Sequence, residues 1–165
     1  MPNTAFHNLL TDFTKSLSLD LVLPPAEELE SFEFTHDGTR CTVRPAGDDA
    51  HVIVEADALR LDSLRALEHS QVVRFLNDLN RAALATNHLV ATLDVDDEIC
   101  VSKSLPLGGL TAAALADEMV SAVEAARSLA RSLELFSEAD DVRQEEAEGS
   151  GALPASTMPS PIQFA

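Results

Sequence analysis

The side chains of this sequence that could do chemistry are five histidines, two cysteines and 28 carboxylates. The histidines (His7, His36, His51, His69 and His88) lie far apart and lack the i, i+4 pairing of a helical metal site, so they read as surface or turn residues. Cys41 and Cys100 are distant in sequence and form no C-x-x-C pair, which suggests neither a disulfide framework nor zinc; two reduced, buried thiols are expected. The acidic run Asp94-Val95-Asp96-Asp97-Glu98 resembles a calcium loop at first sight. Its sixth position is Ile99 where a calcium loop has Gly, and its twelfth is Leu105 where one has Glu, so a solvated hairpin turn is the better reading. Gly108-Gly109 stands before a helix as phosphate loops do, but no Gly-x-x-x-x-Gly-Lys pattern accompanies it and Lys103 precedes the glycines. Carboxylate pairs in so acidic a chain say nothing about acid–base work. No catalytic residue, metal ligand or cofactor site is expected, and the sequence reads as that of a binding protein rather than an enzyme.

Composition narrows the class of partner. The 165 residues carry a formal charge of -17, from 28 acids against 11 bases. Each phosphate contact needs a Lys or Arg, so this field disfavours nucleic acid and anionic lipid. It favours solubility and fast encounter with basic partners. Apolar residues make up 45 %, but there is no Trp or Tyr and only seven Phe, so Leu, Val and Ala must pack the core. Asp12 interrupts the first apolar residues and no base precedes them, unlike a signal peptide. No run approaches the roughly 18 apolar residues of a membrane helix. A cytosolic location is expected.

The elements that must position any binding surface follow from periodicity. Phe6, Leu9, Leu10, Phe13 and Leu17 recur at helical spacing after a cap at Asn3 or Thr4, and Pro24-Pro25 forbids continuation. Ser31–Thr35 alternates, with Phe32 and Phe34 on one face; Asp37-Gly38 is a tight-turn signal; Arg40–Arg44 and His51–Ala56 alternate again, around a turn at Pro45 and Gly47-Asp48-Asp49. Leu59–Leu67 is apolar but irregular and fits a short helix or an ordered loop. A second helix begins near Ser70, with Val72, Phe75, Leu76, Leu79 and Ala83 as its stripe and Asn87 as its stop. Leu89–Leu93 and Ile99–Leu105 flank the acidic turn. Thr111 caps a long third helix with a seam running from Leu115 to Phe136. Beyond Phe136 the sequence turns acidic, then rich in Gly, Ser and Pro, and reads as a disordered tail whose last residues, Pro161 to Ala165, are more apolar. The expectation is an α+β fold: an antiparallel five-stranded twisted sheet with three helices in the order α-βββ-α-ββ-α. It spans residues 1–136 and is followed by a tail over 137–165.

This order, the low pI and the Leu-rich final helix resemble the class I type III secretion chaperones, the Tir-chaperone (CesT-like) family. The likeness is carried by the opening helix with Phe6, Leu9, Leu10 and Phe13, by Phe32-Glu33-Phe34, by the middle helix Val72-Val73-Arg74-Phe75-Leu76-Asn77-Asp78-Leu79-Asn80, and by the hairpin into Ser104-Leu105-Pro106-Leu107. It covers about Ala5 to Phe136, and its motifs are diffuse. The acidic, Leu-rich composition is also similar to that of the broad-specificity export-control chaperones of plant-pathogen systems. The resemblance implies a homodimer pairing through the middle helix and the adjoining strand, with Val72, Phe75, Leu76 and Leu79 at the interface. It implies that secreted effector proteins bind in extended form, adding strands to the sheet and filling apolar grooves. Phe6, Leu9, Leu10, Phe13, Leu17, Phe32, Phe34 and Val43 are the expected client-binding residues, with Phe6 and Phe13 only half covered by so small a sheet. The tail is a place where a secretion ATPase or another partner could dock. A regulatory adaptor or anti-activator that binds one folded protein is the alternative.

Overall fold

A computed structural model of the chain describes residues 4–64, 67–83 and 89–149. The elements run α1 (Thr4–Ser16), β1 (Phe32–His36), β2 (Thr39–Pro45), β3 (His51–Arg60), a 3₁₀ turn (Leu61–Ser63), α2 (His69–Ala83), β4 (Val90–Leu93), β5 (Glu98–Pro106) and α3 (Ala112–Gly149). The five strands form one antiparallel sheet in the order β1-β2-β3-β5-β4, so β1 and β4 are its edges.

Turn chemistry fixes the register. Asp37 and Gly38 both have positive φ, 49° and 79°, the pattern of a two-residue hairpin whose twist matches the strands it joins. His36 therefore faces Thr39, and Phe32 faces Val43. In the next turn the Asp48 carboxylate accepts the N–H groups of Ala50 and His51 at 3.0 and 3.1 Å. The acidic turn is organised in the same way: Asp94 accepts from the N–H groups of Asp96 and Glu98, both at 2.9 Å. β3 is longer than the expected His51–Ala56, because β5 continues to pair with it past a register shift between Asp57 and Leu59.

Strand alternation gives the sheet two unlike faces. Phe32, Cys41, Val43, Val52, Val54, Ala56, Ile99, Val101 and Leu105 are buried on one face, which packs against α3. From α1, packed on α3, Phe6, Leu9, Leu10 and Phe13 join the same core. The other face is polar, with Glu33, Thr35, Arg40, Arg44 and Ser104 exposed. There Arg40 bridges three strands, donating to Asp57 at 2.6 Å and to Glu98 at 2.9 Å. α3 is capped as its sequence requires, with the Thr111 hydroxyl accepting the Ala114 N–H at 3.2 Å, and it buries Leu115, Met119, Ala122, Val123, Ala126, Leu129 and Leu133.

One boundary is corrected. α3 does not stop at Phe136 but runs on to Gly149. Ser137–Glu148 holds no Gly or Pro and has four Glu and two Ala, so helix propensity favours continuing the helix until Gly149. Acidity by itself does not oppose a helix. The expected stop at Asn87, His88 and the apolar end at Pro161–Ala165 lie outside the described residues.

Candidate protein-binding surfaces

The expected client groove is not open. Phe6 and Leu10 are completely buried, Leu9, Phe13 and Phe32 nearly so, and Val43 lies under the helices in the middle of the sheet. The expectation that Phe6 and Phe13 are half covered is corrected. α3, much longer than α1, lies across the same sheet face and leaves no unfilled side to the first helix. Phe34 is partly buried, and Leu17 alone of the eight is half exposed.

Apolar surface emerges instead just after α1. Ser18 takes a left-handed conformation with φ 54°, and the Leu19 N–H closes back on the Thr14 carbonyl at 3.0 Å, so the helix ends before Pro24-Pro25 is reached. Leu17, Leu19 and Leu21 are about half exposed, and Val22 is 93 % exposed. The signal was present in the sequence: Leu17-Ser18-Leu19-Asp20-Leu21-Val22-Leu23 alternates like a strand, overlapping the end of the helical stripe at Leu17. The run leaves α1 beside Phe13, whose ring meets Phe32 of the edge strand edge-on at 6.0 Å.

β1 is an open edge. A two-residue turn makes His36–Thr39 a hydrogen-bonded pair, so alternation turns the main-chain groups of Glu33 and Thr35 away from β2. No turn or loop main-chain group meets them among the described residues. An exposed edge of this kind is a template for an added strand.

A second surface lies at the opposite edge. α2 anchors Val72 and Leu76 in the core, while Phe75 is partly buried and stacks on Phe136 at 5.5 Å. Leu79 is 37 % exposed. With Leu89, Ala91, Val101 and Leu129, Phe75 and Leu79 line a mostly apolar cleft of about 340 Å³ between α2, β4 and α3. Of the four residues expected at a dimer interface, Phe75 and Leu79 are thus available at the surface, and Val72 and Leu76 hold the helix in place.

The ionisable groups do structural work. Burial pushes the Cys41 and Cys100 thiols up to about 12, with the charge of Asp57 adding to the effect. Its hydrogen bond to His51 holds Asp48 below the ordinary carboxylate range. Lys103 points into the helix-covered side of the sheet, where Glu118 of α3 meets it at 2.6 Å.

No protein-family model matches the sequence, and no curated protein matches it either. Solved structures do. A chain of the ExsC–ExsE complex matches with a TM-score of 0.65 at 19 % identity, over 79 % of this chain and 95 % of that one. A chain of the HopA1–SchA chaperone–effector complex matches with a TM-score of 0.62 at 18 % identity, over 78 % and 95 %. The structure of the Yersinia pestis type III secretion chaperone SycH, in complex with a stable fragment of YscM2, matches with a TM-score of 0.56 at 21 % identity, over 74 % and 97 %. A five-stranded antiparallel sheet with three helices in this order, matched over nearly the whole of each of these chains, is the fold of the class I type III secretion chaperones.

Proposed function

We propose that this protein is a cytosolic chaperone that binds secreted effector proteins through an extended segment and keeps them soluble and competent for export. The observation that carries the reading is the unpaired β1 edge on a sheet of this fold, together with the exposed Leu17, Leu19, Leu21 and Val22 that follow α1, whose Phe13 packs on Phe32 of that edge strand. An incoming strand gains main-chain hydrogen bonds at Glu33 and Thr35, and its apolar side chains gain contacts on the leucine run. The chaperone works as a homodimer formed through the α2 face, where Phe75, Leu79 and the adjoining cleft remain to be covered. The acidic end of α3 is the segment available to a further partner such as the secretion ATPase. Nothing in this mechanism calls for catalysis or a cofactor.

The test is capture of bound proteins from the native cell, followed by protease digestion of the complexes and mapping of the protected fragment. A short protected segment in an otherwise digested protein is expected, and Leu21→Asp/Val22→Asp should lose it. Protection of a whole folded domain would instead mark a regulatory adaptor and defeat the chaperone reading.

A further inference from the structure

The two edges of the sheet are not equivalent. At β4, Ala91 faces Val101 of β5. Its main chain bonds elsewhere: the Ala91 N–H donates to Asn80 Oδ1 at 2.7 Å, and Asn80 Nδ2 donates to the Ala91 carbonyl at 2.7 Å. Ala91 and Val101 are therefore a wide pair, and the Ala91 N–H and C=O point out of the sheet. A carboxamide carries one acceptor and one donor side in the same sense as a peptide group. Asn80 thus occupies the place that a peptide of an added strand would take. The helix that carries it is anchored by Leu76 in the core and by Phe75 stacked on Phe136. β4 has only four residues, so blocking its second one leaves no pair of free positions for a ladder. Asp in this place could accept but not donate, and an apolar residue could do neither.

We propose that Asn80 seals the β4 edge against strand addition, so that an extended segment can join this sheet only at β1. The choice of edge rests on the proposed strand-binding function; the seal itself does not. It lets the α2 face remain apolar beside an exposed strand without that strand templating assembly, a hazard that other proteins meet with charges or prolines.

Amide exchange by NMR on the full chain tests this, with Val54 as an internal reference in the centre of the sheet. In Asn80→Ala the Ala91 amide should exchange at least ~10-fold faster with Val54 unchanged, as expected of a local opening. In Asn80→Asp it should stay protected, because the carboxylate still accepts. Sedimentation of Asn80→Ala should show species larger than those of the wild type, growing with concentration, and Asn80→Ala/Ala91→Pro should not. Unchanged Ala91 exchange in Asn80→Ala, acceleration of Ala91 and Val54 together, or faster exchange without larger species would each overturn the proposal. A protein that shows the expected exchange and assembly but captures no client would defeat the chaperone reading and leave the seal standing.

Discussion

Phe6 and Val22 are both apolar residues of the N-terminal region, and the fold gives them opposite work. Phe6 has no exposed surface, and Val22 keeps 93 % of its own. Phe6→Ala should cost about 3–5 kcal/mol in urea unfolding, through lost burial and the cavity left behind. Val22→Asp should stay within about 0.5 kcal/mol of the wild type and yet weaken client capture. Equal stability of the two variants would contradict the placement of α1 in the core. The thiols give a second prediction at this scale. Below the ordinary thiol pKa both folded and unfolded chains keep these protons. Above it the unfolded chain releases them, while burial holds them on the folded chain up to about 12. Stability should therefore fall as the pH rises from the ordinary thiol range toward about 12. Chemical unfolding of wild type and Cys41→Ala/Cys100→Ala across that range checks it. The double variant should show the shallower decline, and parallel curves would mean that the thiols ionise alike in both states.

Among the elements, α2 divides its stripe between two tasks. Val72 and Leu76 fix the helix to the core, and Phe75 and Leu79 face the cleft. Leu79→Asp should therefore convert the proposed dimer to a monomer in light scattering with a shift of melting temperature of no more than a few degrees, as befits a half-exposed site. A wild type already monomeric at tens of micromolar, where μM dimers persist, would remove the premise. α3 presents the other division. Among the residues whose burial is described, Leu133 and Ser137 are its last buried ones, and the helix continues to Gly149. A chain ending at Ala139 should lose far-UV helical signal and keep its cooperative melt, because the hydrophobic seam that holds the helix to the sheet is retained. Loss of the cooperative transition would show that the distal helix supports the core.

At the scale of the whole molecule, one layer of helix lies on one face of a sheet, and the other face is polar and cross-linked by Arg40 to Asp57 and Glu98. The chain carries a formal charge of -17. Such a field steers basic partners in solution and is screened by salt. The association rate with a client segment should fall markedly between low and physiological ionic strength, measured by stopped flow, with dissociation changing less. A rate indifferent to salt would show that the charge serves solubility alone.

The sequence by itself determined the element order, the Asp37-Gly38 hairpin and the Thr111 cap, because periodicity and turn chemistry act over a few residues. It also set the net charge of -17. Tertiary structure decided which apolar stripes are core and which are surface. Phe6 and Phe13 are covered by a helix that begins at Ala112, and no local pattern carries that information. Leu17, Leu19 and Leu21 alternate in sequence as the buried face of a strand would, and only the tertiary structure leaves them half exposed. The edge seal is the clearest case. Asn80 reads as a polar residue on a helix face, and its role exists only because α2 lies along the edge where the main chain of Ala91 points outward.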